Sequence, residues 1–321
     1  MVMWHVILNF NFHIELKVYA MTLYKEICDT QTEKLLIEDN PLSFVIALSV
    51  INTFLSLTAS VGNLLILLGL KKCRTIHAPS KALLFSLAMT DLGVGLFSQP
   101  LFAAFKIIGY RQDYYKPVCI MAIFDTLFGD ALAAVSLLLV SVISIDRYMA
   151  YRLRGKYRSL VTLKKTILAV ICCWLIACAW VGLGVWEKNS ARVFQTVVVS
   201  LCLIVPIASY VNIYVGLRFC SSHIRVRSVL NAIHMPHYKK SAITMAYVCG
   251  FLLLCYLPHF VLEAISGFFN DEQTYLRVKN CTKTVAYFSS SINPLIYCWR
   301  IQEIFDFASS SLSRLFCIRS R

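Results

Sequence analysis

Charge is what this sequence has least of. Only 15% of its 321 residues are Asp, Glu, Lys or Arg, while 58% are hydrophobic. Soluble domains carry about 25% charged and about 45–50% apolar residues, so a soluble enzyme or binding module is excluded. Internal repeats and low-complexity tracts are also missing, which sets aside a transporter built on paired repeats. Clustered histidines are missing too, since of seven only His259 lies well within an apolar stretch. That argues against a seven-span metallohydrolase, which needs His with acidic partners.

Long apolar runs fill the space that charge leaves. A helix needs roughly 20 apolar residues to cross a bilayer. Seven stretches qualify, at 42–70, 82–105, 118–145, 167–186, 193–219, 243–269 and 285–299, the last being short unless 281–284 join it. They predict an all-α membrane protein with a seven-transmembrane helix bundle over residues 41–301. Residues 1–40 read as an extracellular amino-terminal segment, and 302–321 as an amphipathic helix with a short cytoplasmic tail. In that tail Ile301, Ile304, Phe305, Ala308, Leu312 and Leu315 recur at helical spacing, as in a helix lying on the inner membrane surface. Met1–Ile14 is apolar but has neither a basic start nor a small-residue cleavage site, so it does not read as a signal peptide.

The net charge of +14 is distributed by side. Of 31 Lys and Arg residues, 20 fall on the side that holds the carboxyl terminus and 11 on the other. The positive-inside bias therefore predicts a multi-pass plasma-membrane protein with its amino terminus outside. Basic loops of this kind face anionic lipid, so lipid and not nucleic acid is the expected polyanionic partner.

Thirteen cysteines divide by compartment. Six lie inside spans as small apolar residues. Cys28, Cys119 and Cys281 face outside, and three thiols form at most one bridge. Cys317, in the basic tail, is either palmitoylated or a free thiol. Asn280-Cys281-Thr282 is a sequon that predicts glycosylation at Asn280.

Polar residues inside the spans are few. Asn63, Asp91, Ser136 and the run Ser289, Ser290, Ser291 and Asn293 come from four spans at similar depth. An ionised Asp91 at mid-bilayer is costly without polar partners or a cation, so these residues predict one shared water-filled pocket. Pro206, Pro258 and Pro294 each interrupt a span, removing a helical hydrogen bond where a helix can swing. At the inner end of the third run, Asp146-Arg147-Tyr148 holds opposite charges side by side at a membrane edge, a position whose default reading is functional.

Together the seven spans, Gly62-Asn63, Leu87-Ala88-Met89-Thr90-Asp91, Asp146-Arg147-Tyr148, Trp174, Pro206 with Tyr214, Cys255-Tyr256-Leu257-Pro258 and Asn293-Pro294-Leu295-Ile296-Tyr297 resemble a rhodopsin-class G-protein-coupled receptor over about residues 42–316. Asp146–Ala150, Tyr157 and Leu160-Val161-Thr162 are similar to the second inner loop of adenosine receptors. Tyr297–Ile304 resembles the tail of melanocortin and adenosine receptors. The resemblance implies an extracellular small-molecule or peptide ligand and a heterotrimeric G protein as partners, with no enzymatic activity. It implies that Asp146 restrains Arg147 at rest, and that Tyr214 and Tyr297 swing in to support Arg147 in the active state. Asp91, Asn63, Ser136, Ser290 and Asn293 would form an allosteric sodium pocket, with no other cofactor and no other metal. Tyr256, above Pro258, stands where the family usually has Trp as its toggle.

Departures from the pattern carry expectations of their own. No acid stands at the inner start of span six, in Tyr238-Lys239-Lys240, so the family's latch from there to Arg147 is missing and ligand-free activity is expected. Residues 187–192 contain no Cys, so the family's usual bridge to the second outer loop cannot form, and Cys28–Cys281 is the preferred alternative. The family's amine-binding Asp position holds Gly129, beside Asp130, and the retinal-attaching Lys position of opsins holds Tyr287. The candidate ligand residues are Asp125, Asp130, His259, Glu263 and Tyr287. Two readings of the three acids stand: an acidic mouth for a cationic amine or peptide, or carboxylates solvated or paired with Lys106, Lys279 or Lys283.

Overall fold

The computed structural model describes residues 40–110, 115–186, 188–223 and 235–315. Spans one to three are Leu42–Lys72; Ala78–Gly93 continued through Val94–Ser98 and Gln99–Tyr110; and Tyr115–Leu153. Spans four to seven are Leu163–Trp186, Lys188–His223, Met235–Ala264 and Glu272–Arg300, followed by the surface helix Gln302–Leu315. Among the described residues there is no strand. Five of these helices are long and apolar enough to cross a membrane on length and composition alone.

Span seven shows why its apolar run looked short. The helix starts at Glu272, capped by the Asp271 carboxylate, which accepts from the backbone N–H groups of Gln273 and Thr274 at 3.1 and 3.2 Å. Its first turns are polar because Arg277, Lys279 and Lys283 point at partners inside the protein. Span two contains a π-turn at Val94–Ser98, which ends two residues before Pro100. Proline has no N–H and its ring crowds the carbonyl four residues back, so the helix widens there. Pro206, Pro258 and Pro294 lie inside continuous helices, as expected from a membrane span whose neighbours re-satisfy the freed carbonyls.

Span one is held to span seven by a polar seam. Asn52 donates to Thr284 Oγ1 at 3.0 Å, Ser291 to the Leu55 carbonyl at 2.9 Å, and Asn63 to the Ser290 carbonyl at 2.9 Å. Gly62 makes the close approach geometrically possible, since a Cβ there would lie 2.8 Å from Pro294 Cγ. Proline is rigid, so Gly62→Ala is expected to lower stability by about 1–3 kcal/mol, the usual cost of overpacking. Thermal denaturation of the solubilised receptor measures it, and an unchanged melting temperature would refute the contact.

The surface helix keeps the predicted amphipathic face. Ile304 and Ala308 are buried against the bundle, while Phe305 is exposed. Lys72 stacks over Phe307 at 4.6 Å, and Glu303 accepts from the Arg74 backbone N–H at 3.1 Å.

Candidate functional site

At the inner face, Asp146 is the hub of a buried cluster. Its Oδ2 accepts from Arg147 Nε at 3.0 Å and from Ser80 Oγ at 3.1 Å, and the Arg147 Nη2 also ion-pairs with it. Its Oδ1 accepts from the Tyr157 hydroxyl at 2.6 Å. Both carboxylate oxygens are therefore satisfied, and Arg147 is paired with Asp146. Ser80 and Tyr157 are the residues sequence reasoning did not assign. Tyr157 sits on a one-turn helix, Tyr157–Leu160, of the inner loop. Burial first, and then its bond to the Asp146 carboxylate, pushes its hydroxyl up to about 12, so it remains a donor at any cellular pH. His77 packs its ring 5.5 Å from Tyr157, and burial followed by the charge of Arg158 lowers its affinity for a proton.

Tyr148 is half-buried beside this hub. Of the two tyrosines expected to support Arg147, Tyr297 is 1% exposed and its hydroxyl has no partner among the described residues, whereas Tyr214 is 57% exposed. Tyr151 on span three also meets span five closely, its hydroxyl filling the space that a side chain on Gly216 would need.

At mid-depth the predicted polar pocket assembles. Asn293 donates to Asp91 Oδ2 at 2.7 Å, and Ser136 donates to Thr90 Oγ1 at 3.0 Å. The oxygens Asn63 Oδ1, Ser290 Oγ and Asn293 Oδ1 are buried without a hydrogen-bond partner among the described residues. One carboxylate with several neutral oxygens suits a hard cation, which takes oxygen ligands. A transition-metal cluster of three or more His, Cys, Asp or Glu is absent among the described residues. Above the pocket, buried Tyr256 stacks on Phe260 at 6.1 Å, with its hydroxyl within reach of Ser289 and Ser136.

The outer half resolves the two readings of the three acids. Asp125 is paired with Lys283 at 2.5 Å and accepts from the Tyr287 hydroxyl at 3.0 Å. Glu263 is paired with Lys279 at 2.6 Å and accepts from the Tyr275 hydroxyl at 3.2 Å. Two of the three are thus paired inside the protein, which corrects the picture of an open acidic mouth. Asp130 is the third: among the described residues it has no hydrogen bond or ion pair, yet it lies within electrostatic reach of Lys283, Lys279, Asp125 and Glu263. His259 bonds Thr282 Oγ1 at 3.3 Å, joining spans six and seven. Gly129 is required by Tyr287, because a Cβ there would lie 2.9 Å from its hydroxyl. The reading in which these carboxylates pair with Lys279 and Lys283 is the one found for Asp125 and Glu263.

Two expectations are corrected. Cys119 is disulfide-bonded while Cys281 is a free thiol, so the Cys28–Cys281 bridge is not the one formed; Cys28 lies outside the described residues. Asn280 lies inside the span-seven helix at 7% exposure and not on a loop, which leaves no room on its side chain for a glycan. Cys317 also lies outside the described residues.

Comparison with known proteins follows the geometry. The chain is 26% identical over 336 residues to the alpha-1A adrenergic receptor of Bos taurus, covering 87% of this chain and 70% of that one. It is 26% identical over 275 residues to the histamine H2 receptor of Canis lupus familiaris, covering 78% and 75%. It is 24% identical over 331 residues to the alpha-1A adrenergic receptor of Homo sapiens, covering 86% and 70%. Residues 62–297 match the profile of the 7 transmembrane receptor (rhodopsin family). With that match spanning most of the chain, the protein belongs to the rhodopsin family of G-protein-coupled receptors, multi-pass proteins of the plasma membrane.

Proposed function

We propose that this receptor responds to a small extracellular amine whose ammonium group docks on Asp130. Asp130 carries the reading, as the one of the three candidate acids without a hydrogen bond or ion pair among the described residues. An unpaired carboxylate in a low-dielectric site gains most from an arriving cation. The relatives named for adrenergic and histamine ligands support the amine class. The finer branch suggested by the inner-loop and tail residues, melanocortin or adenosine, has no such support, and the proposal does not use it.

Binding would act by population shift, favouring the bundle arrangement in which Arg147 leaves Asp146 and meets a heterotrimeric G protein. The proline sites of spans five, six and seven supply the hinges. The amino terminus is outside and the carboxyl terminus cytoplasmic, on the distribution of Lys and Arg. A sodium ion is the expected modulator at Asp91, held by the oxygens of Asn63, Ser136, Ser290 and Asn293. In cells read out for G-protein activation, Asp130→Asn is expected to weaken the response to the best amine of a small-amine panel by about tenfold to hundredfold, the worth of one charge-assisted hydrogen bond. Unchanged potency at equal surface expression would overturn the assignment.

A further inference from the structure

We infer that Lys283 is a tethered ligand: its ammonium fills an amine site built from Asp125, Phe102 and Tyr287, and so decides which external amines the outer half accepts. The parts come from three spans, Phe102 from span two, Asp125 from span three, and Lys283 with Tyr287 from span seven. Asp130 has no part in it.

An ammonium group in a protein interior needs an anion to neutralise it and ring faces to stand in for its water shell. The Asp125 carboxylate, 2% exposed, is the anion, 2.5 Å from Lys283 Nζ. Its other oxygen accepts from the Tyr287 hydroxyl at 3.0 Å, which orients the carboxylate. The rings of Phe102 and Tyr287 are the faces, with centroids 5.5 and 5.7 Å from Nζ. They meet edge to face, 6.0 Å apart with 81° between their planes, and so form a corner around the cation. Both rings are buried, in an apolar cluster with Leu48, Val94 and Phe105.

A buried ion pair needs only two charges. Two rings over the cation and a tyrosine that orients its carboxylate are the parts of a site that recognises ammonium. The occupant is attached to span seven, so a dissolved amine competes against a high local concentration. An external amine reaches Asp125 only by stranding the Lys283 charge in the interior, which is costly. Lys283 therefore keeps external amines off Asp125 and acts as a specificity-determining residue. Cutting its side chain back should hand the site to a free amine of matching size.

Lys283→Ala removes the atoms that n-propylammonium puts back. With the full chain in lipid nanodiscs, n-propylammonium is expected to raise the melting temperature of Lys283→Ala saturably. The concentration required should be about tenfold or more below any that acts on the unsubstituted receptor, the worth of one charge-assisted hydrogen bond. The gain should persist in Lys283→Ala/Asp130→Asn and vanish in Lys283→Ala/Asp125→Asn. The uncharged n-propanol should give none. Where Lys283→Ala does not survive solubilisation, its surface expression in cells grown with and without n-propylammonium gives the same reading. No gain in either assay, or an equal gain with n-propanol, overturns the inference and leaves Asp125–Lys283 a structural ion pair. A gain kept with Asp125→Asn and lost with Asp130→Asn also overturns it, and assigns the amine to Asp130 alone.

Discussion

Replacing Asp146 with Asn is expected to raise ligand-free G-protein signalling several-fold at matched surface expression. The amide keeps the size of the side chain and removes its charge. Arg147 then loses a charge-assisted bond worth about 1.5–3 kcal/mol. A change of about 2 kcal/mol shifts the ratio of active to resting receptor by about thirtyfold, and the measured gain levels off as the active population saturates. Tyr157→Phe removes only one neutral donor from Asp146 Oδ1, so its effect should be clearly smaller, in keeping with about 0.5–1.5 kcal/mol. Signalling unchanged in Asp146→Asn would show that the contact of Arg147 with Ser80 suffices to hold it. The same assay reads the ligand-free activity expected from Tyr238-Lys239-Lys240.

What the sequence made legible follows the cost of misplacing a group. Polar residues at mid-membrane are expensive when unpartnered, so Asp91 and Asn293 announce themselves and are found in contact. Apolar length located each span but not its ends: span six runs Met235–Ala264 and not 243–269, and span seven begins at Glu272, where Lys279 and Lys283 looked like residues near a loop. Their ammonium groups are helical because Glu263 and Asp125 neutralise them, and such pairing across a bundle leaves no local periodicity to read. The π-turn before Pro100 is not anticipated by a sequence reading that places the interruptions at Pro206, Pro258 and Pro294. The hub at Asp146 was half-visible: Arg147 is its chain neighbour, whereas Ser80 and Tyr157 reach it from other segments. The disulfide was misjudged for a similar reason, since counting outer cysteines limits the number of bridges but says nothing of which Cα atoms approach.

Lys283→Met is the substitution expected to cost most stability, about 3–5 kcal/mol, as when one partner of a buried ion pair is removed. The Asp125 carboxylate is 2% exposed and Lys283 14%, so water cannot replace the lost ammonium. The Tyr287 hydroxyl remains bonded to Asp125 Oδ1, but one neutral donor does not compensate a buried charge. Adding Asp125→Asn should recover most of the loss, because the second change removes the stranded charge. Thermal unfolding of the two single variants and the double variant gives the coupling directly. Lys279→Met is the internal control: its pair with Glu263 is 36% and 26% exposed, and pairs open to water contribute about 0–1 kcal/mol. A large loss in Lys283→Met, a small one in Lys279→Met and rescue in the double variant identify Asp125–Lys283 as a structural element of the outer pocket. Strict additivity of the two single losses would instead mean that the pair is not coupled, and that Lys283 owes its place to its ammonium group over the Phe102 ring.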